Sequence, residues 1–247
     1  MIIPAELAAL LRGARKVAVL TGAGVSAESA VPTFRDAQTG LWAKFRAEDL
    51  ATPEAFLRNP RMVWEWYLHR RETLSHVEPN PGHFALAEIE RRMPEFTLIT
   101  QNVDGLHARA GSTNIIELHG NIVRTKCFDA GHLVDALAAD NRVPPHCPTC
   151  DSPLRPDVVW FGEMLPEGAM ENATAAAEGC ELFLNIGTSA MVYPAAELPD
   201  IARRGGAVMV EVNPDPSPVA LFADFTLAAP SGVALPALVR AAWEGAR

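Results

Sequence analysis

Six short apolar runs constrain the fold of this chain more than any other feature: Lys16–Leu20, Phe96–Thr100, Ile115–Leu118, Glu181–Asn185, Ala207–Val212 and Phe225–Leu227. Most are rich in β-branched or large aliphatic residues, and stretches of helical character separate them, the first an amphipathic helix from Pro4 to Arg12. Strands that alternate with helices assemble into a parallel sheet covered on both faces, so the expected class is α/β with a Rossmann-like, doubly wound sheet. The 247 residues, 49% of them apolar, suffice for one large domain with a smaller insert.

The first strand runs straight into Thr21-Gly22-Ala23-Gly24-Val25-Ser26. Glycines let a backbone turn tightly and approach a pyrophosphate at a helix N-terminus. The same turn also serves any tight strand-to-helix connection. A standard βαβ unit takes roughly 30 residues and carries an acidic residue at the end of its second strand. Here the next convincing strand begins at Phe96, about 65 residues on, without that acid, which argues against a Rossmann dehydrogenase. The intervening excursion, roughly 36–76, is helical and aromatic. It follows Val31-Pro32-Thr33-Phe34-Arg35-Asp36 and includes Gly40-Leu41-Trp42, a Pro-kinked aromatic segment suited to a lid. A second excursion, roughly 121–154, holds three of the four cysteines between Pro-rich turns. The expected division is a Rossmann-like domain from 1–35, 77–120 and 155–247, and a small domain from the insertions 36–76 and 121–154. A cleft between them is the natural place for ligands.

Gln101, Asn102, Asp104 and His119 all fall just past the carboxyl ends of neighbouring strands, where open α/β sheets bind ligands. One such residue reads as loop solvation or, at Asp104, as a helix N-cap; four that converge read as a site. The net charge of −9 leaves no basic patch for nucleic acid or a membrane surface, and a lysine-rich protein tail is a more compatible partner. No apolar run approaches the roughly 18 residues of a membrane span, and Met1–Leu7 lacks the pattern of a signal peptide. Four cysteines with one C-x2-C do not form a secreted disulfide framework, so the cytoplasm is the expected location. No oligomeric state follows from the sequence.

The segments Gly22-Ala23-Gly24-Val25-Ser26, Pro32-Thr33-Phe34-Arg35-Asp36, Gln101-Asn102-Val103-Asp104, His119-Gly120, Val158-Val159-Trp160-Phe161-Gly162-Glu163 and Gly187-Thr188-Ser189 resemble, in order, the motifs of the sirtuins. Sirtuins are NAD-dependent protein-lysine deacylases. The resemblance runs from about Val17 to Leu235 and lies nearest the class III branch. It implies NAD as co-substrate and acylated lysine side chains of proteins as partners. The amide oxygen of the acyl-lysine would attack the nicotinamide ribose, and the products would be free lysine, nicotinamide and an O-acyl-ADP-ribose. His119 would be the general base, with Asn102 beside it. Asn102 and Asp104 would hold the ribose and carboxamide, and Gln101 lies in the same motif. Phe34 would cover the cationic ribose after nicotinamide departs, Arg35 would help fix the diphosphate, and Trp42 would also bind the cofactor, while Ser26 and the amides of Gly22, Ala23 and Gly24 would take phosphate oxygens. Gly187, Thr188, Ser189, Asn213 and Ser231 would flank the adenine end, although Asn213 reads equally well as a turn residue before Pro214. Val159, Phe161, Gly162 and Glu163 would offer backbone to an extended peptide as an added strand. His107 is expected to be structural. Ala30 stands where the family usually carries glycine.

Tyr67 and Arg70, three apart on a helical stretch, share a face. By themselves they read either as a solvated basic edge or as a phenol and guanidinium able to grip a carboxylate. The resemblance selects the second: with Ala51 leaving room, they would read the carboxylate of succinyl-, malonyl- or glutaryl-lysine. Deacetylation or ADP-ribosyl transfer is the alternative activity. Arg71 is expected to face water. The family also implies a structural zinc held by two C-x2-C pairs. Here Cys147 and Cys150 form one pair, but the other is reduced to Cys127, with Ala130 at the remaining position. Zinc needs four ligands. Asp129, His132, His146 or a water would have to supply the fourth, or the site is emptied and held by packing alone. Cys180 is expected to be an ordinary buried thiol.

Overall fold

The computed structural model describes residues 1–31, 46–135 and 141–244. Its main sheet has six parallel strands: β1 (Lys16–Thr21), β2 (Glu95–Thr100), β3 (Ile115–Glu117), β6 (Leu182–Ile186), β7 (Val208–Val212) and β8 (Phe225–Leu227). Their order across the sheet is β3-β2-β1-β6-β7-β8. All five pairings are parallel. Every expected strand is present within a residue or so of its expected ends. The central strands are covered on both faces, which is why they read as continuous apolar runs rather than alternating ones.

One face carries α1 (Ala5–Gly13), α5 (Pro81–Arg92) and α9 (Ser231–Trp243), whose Leu7, Leu11, Leu86, Ile89, Leu235 and Leu238 pack on Val17, Val19, Leu98, Leu184 and Val210. The other carries α7 (Ala169–Gly179) and α8 (Leu198–Arg204). There, Ala173, Ala177 and Ala202 bring the helices close over Ala18, Leu20, Phe183 and Met209. Strand order reverses between β1 and β6, and in a doubly wound sheet that switch point opens the crevice where ligands bind.

Between β3 and β6 the chain makes an antiparallel pair, β4 (Gly120–Cys127) and β5 (Leu154–Val158), whose register shifts between Asn121 and Thr125. Three helices pack on it: α2 (Ala47–Leu50), α3 (Pro53–Arg58) and α4 (Pro60–Ser75). The starts of α3 and α4 are encoded locally. Thr52 Oγ1 accepts from the Ala55 amide at 3.1 Å and Asn59 Oδ1 from the Met62 amide at 3.1 Å, each just before a proline that needs no hydrogen bond. Leu50, Ala51, Phe56, Trp66 and Tyr67 form a second core with Ile122, Val158 and Trp160.

Arg71 departs from its expected place in water. Its Nε donates to the Ile122 carbonyl at 2.5 Å and its Nη2 to the Arg124 carbonyl at 2.7 Å, with the guanidinium 5.5 Å from the Trp64 ring centre. The register shift leaves residues 122–124 unpaired with β5, and the arginine satisfies two of their carbonyls. No described helix is long and apolar enough to cross a membrane.

Candidate functional site

At the switch point the loop after β1 lies against the loop after β6. The Gly22 amide donates to the Ile186 carbonyl at 3.1 Å and the Gly24 amide to the Gly187 carbonyl at 2.8 Å. A Cβ on Gly24 would fall 2.7 Å from the Gly187 oxygen, and one on Gly22 would fall 2.7 Å from Thr188 Cβ. Both glycines are therefore required by contact between two loops. Their amides, expected to face phosphate, are bonded to the Ile186 and Gly187 carbonyls here. The segment after Gly22 is a 3-10 helix, Ala23–Ser29, with Ala23 exposed at its tip. It ends on Ala30 at φ +57°, a left-handed conformation that explains why glycine is the usual choice there.

A hydrogen-bonded cluster spans the crevice. Asn102 Nδ2 donates to the Gly22 carbonyl at 3.1 Å and to Ser26 Oγ at 3.2 Å. Ser26 Oγ in turn donates to Asp104 Oδ2 at 2.8 Å. Asp104 also accepts the Leu106 amide, as an N-cap would, and burial raises its carboxyl above the ordinary value. Towards β6, Gln101 Nε2 donates to Thr188 Oγ1 at 3.0 Å, and Asn213 Nδ2 to the Thr188 carbonyl at 3.2 Å. Ser189 is exposed beside them. Ser231, the first residue of α9, is buried and donates to the Val25 carbonyl at 3.3 Å.

His119 stands between β3 and β4, where Gly120 turns at φ +76°. Its Nδ1 lies 2.9 Å from the Gln101 carbonyl. A carbonyl only accepts, so Nδ1 carries the proton and Nε2 is the basic nitrogen of the neutral ring. Burial holds its pKa below the ordinary imidazole value. Two further histidines support the cluster. His83 Nδ1 accepts the Asn80 amide at 3.3 Å, which leaves its Nε2 to donate to Ser26 Oγ at 3.3 Å. His107 Nε2 meets Thr21 Oγ1 at 3.0 Å. Burial pushes His83 down to about 4 and His107 to about 3, so both are neutral. Sequence reasoning missed His83 and Asn80. The local signal was Asn80-Pro81-Gly82-His83, a capping pattern at the start of α5.

From His119 a run of bonds leads to the helical insert. The Val159 amide donates to the His119 carbonyl at 2.9 Å, the Phe161 amide to the Ala51 carbonyl at 3.0 Å, and Trp160 Nε1 to the Tyr67 hydroxyl at 2.9 Å. Tyr67 is 2% exposed, and burial pushes its phenol up to about 12, against the pull of the Arg70 charge. The Arg70 guanidinium lies 5.1 Å from the Trp66 ring centre. Val159–Glu163 is a turn around Gly162, at φ +84°, rather than a strand. The amides of Val159, Trp160, Phe161 and Glu163 are all engaged within the chain. Arg155, also unforeseen, braces this turn: it pairs with Glu163 and lies 3.3 Å from the Trp160 ring centre.

Cys127, Cys147 and Cys150 come together at the ends of β4 and of the loop before β5, joined by His132. Cys180 is buried apart from them. Phe34, Arg35 and Trp42 lie outside the described residues.

The fold and this cluster define a class: a Rossmann-like α/β protein with a ligand crevice at its switch point and a neutral, half-buried histidine at the crevice edge. The Sir2 family model matches residues 22–194. A Ralstonia nicotianae NAD-dependent protein deacylase is 52% identical over 236 residues, covering 96% of each chain. A Thermus thermophilus protein of the same name is 52% identical over 224 residues, covering 88% of this chain and 86% of its own. A crystal structure of a Sir2 homologue with NAD superimposes with a TM-score of 0.91 at 42% identity, covering 99% of this chain and 95% of that one. A Sir2 protein bound to acetylated peptide gives 0.84 at 31%, covering 99% of each. The chain belongs to the Sir2 family.

Proposed function

We propose that this chain removes succinyl, malonyl or glutaryl groups from protein lysines, and acetyl groups more slowly. Its enzyme class is that of its relatives: the chain is an NAD-dependent protein deacylase, with NAD as co-substrate and acylated lysine as the group it acts on. The donors at the switch point suit a dinucleotide, since Asn102, Ser26, Gln101 and Thr188 offer amides and hydroxyls around one crevice. Bound NAD supplies an activated ribose that accepts the acyl group when nicotinamide leaves. His119 Nε2 would take the proton from a ribose hydroxyl, and the Gln101 carbonyl fixes its tautomer. Asn102 would orient the same ribose, held by Ser26. Asp104, braced by Ser26 and the Leu106 amide, would face the carboxamide. Gly187, Thr188, Ser189 and Asn213 would flank the adenine end. The insertions 36–76 and 121–154 would form the small domain, and the cytoplasm suits four cysteines that form no disulfide.

The observation that carries the acidic preference is the Trp160–Tyr67 bond. Indole Nε1 only donates, so the Tyr67 oxygen accepts and its own proton is left to meet a carboxylate. Arg70, one turn along α4, would add a bidentate fork. Ala51, whose carbonyl holds Phe161, keeps the wall beside them small. Phe161, Gly162 and Glu163 would hold the peptide through carbonyls, since the neighbouring amides are taken.

The test is incubation with NAD and matched succinyl-, malonyl-, glutaryl- and acetyl-lysine peptides, with products read by mass spectrometry. Acidic acyl groups should leave faster. Tyr67→Phe and Arg70→Met should each raise KM for succinyl-peptide about 10- to 150-fold, the scale of a charge-assisted hydrogen bond, with little change on acetyl-peptide. Equal losses on both peptides, or a wild type that prefers acetyl, would overturn the preference and leave the deacylase standing.

A further inference from the structure

We propose that Cys127, Cys147, Cys150 and His132 form one tetrahedral metal site of zinc type, with His132 Nε2 in place of the family's fourth thiolate. Two pairs of the donor atoms stand close to the spacings such an ion requires. Cys127 Sγ is 3.4 Å from Cys150 Sγ, and Cys147 Sγ is 3.3 Å from His132 Nε2. Donor atoms of Cys127, His132 and Cys147 all lie within 4.8 Å of one another. Zinc bonds of about 2.3 Å to sulfur and about 2.0–2.1 Å to nitrogen put the edges of a tetrahedron at roughly 3.5–3.8 Å.

Backbone geometry delivers the histidine. After β4 the chain reverses through Gly131, at φ +71°, whose amide donates to the Cys127 carbonyl at 3.1 Å. The Cys127 amide then donates to the His132 carbonyl at 2.9 Å, folding His132 back over the cysteine. Ala130 cannot supply a thiolate, but its amide donates to Cys127 Sγ at 3.4 Å. On the opposite turn the Thr149 amide does the same for Cys147 Sγ at 3.4 Å. Such N–H···S contacts are the outer-shell support of metal-bound thiolates. Of the other candidate fourth ligands, His146 Nδ1 is turned to the Asp151 carbonyl at 2.5 Å, and neither His146 nor Asp129 is grouped with Cys127 and Cys147 as His132 is. The site also bears on α4: Cys127, Cys147 and Leu154 pack with Trp64, three residues before Tyr67.

The test uses the full chain, purified without chelator under reducing conditions and analysed for zinc, then loaded with cobalt(II) as a spectroscopic probe. One zinc per chain and a tetrahedral cobalt spectrum with sulfur charge-transfer bands are expected. Outer-shell changes cost about 10- to 100-fold in metal affinity, so His132→Ala should weaken zinc in chelator competition by at least about 100-fold and alter the cobalt bands. His132→Cys should restore tight binding with a four-thiolate spectrum, which separates ligand loss from misfolding. Asp129→Ala and His146→Ala should leave affinity and spectrum unchanged. Wild-type affinity and spectrum in His132→Ala, or a wild type that takes up no zinc after reconstitution, would overturn the assignment.

Discussion

The chemistry turns on how single side chains are held. The His119 ring has one nitrogen committed to the Gln101 carbonyl at 2.9 Å and is partly withdrawn from water, so the neutral form dominates near neutral pH with its base at Nε2. His119→Ala is expected to retain NAD binding and lose turnover by at least about 100-fold, the scale of general-base loss. Because burial lowers this pKa, the acid limb of kcat/KM should fall below the ordinary imidazole value: activity is present above the folded pKa and lost as pH drops through it. Near wild-type turnover in the variant would contradict the assignment. Arg70 and Arg71 are the residue-scale contrast, since adjacent positions of one sequence run serve opposite ends: one lies beside Tyr67, the other holds β4.

That contrast becomes measurable at the level of elements. Helix α4 joins the acyl-side residues to β4 through Arg71, whose bonds to the Ile122 and Arg124 carbonyls satisfy groups that the register shift leaves unpaired, with a third to Thr125 Oγ1. Hydrogen bonds from a charged donor contribute roughly 1.5–3 kcal/mol, and partial exposure of the guanidinium trims that, so Arg71→Met should cost about 2 kcal/mol. For a chain of this size the melting temperature should drop by about 4–8 °C, with activity on acidic and acetyl peptides reduced in parallel. A selective loss on succinyl-peptide would instead place Arg71 in the acyl pocket.

Over the whole molecule, two neutral histidines beneath the crevice couple folding to pH. His83 sits at about 4 and His107 at about 3, both below the 6.5 of an unfolded chain. Above pH 6.5 neither state is charged and they contribute nothing. As pH falls below 6.5 the unfolded state takes up protons that the folded state refuses, so stability declines. The decline amounts to roughly 2 kcal/mol per histidine by pH 5 and continues until the folded pKa values are reached. Denaturant unfolding between pH 7 and pH 5 should show it; a flat profile would mean that the two rings are hydrated. The His83–Ser26–Asp104 contacts place this acid-sensitive core directly under the proposed cofactor residues.

What the sequence determined by itself is what neighbours along the chain decide. Period and β-branching marked all six strands. Asn59-Pro60 and Thr52-Pro53 encoded helix starts, and the ordered motifs from Gly22 to Ser189 carried the family. The gap at Ala130 was visible as a missing thiolate. Tertiary structure alone decided which distant backbones touch. Gly24 needs no side chain because Gly187 lies against it, and the Gly22 and Gly24 amides are bonded to the Ile186 and Gly187 carbonyls. Arg71 turned inward because a register shift in β4 exposed carbonyls to it. His132, rather than Asp129 or His146, reached the thiolates because the turn at Gly131 points it there. Each of these outcomes depends on where two separately folded segments meet, and that is set by loop geometry and packing across the molecule, which no local pattern of residues encodes.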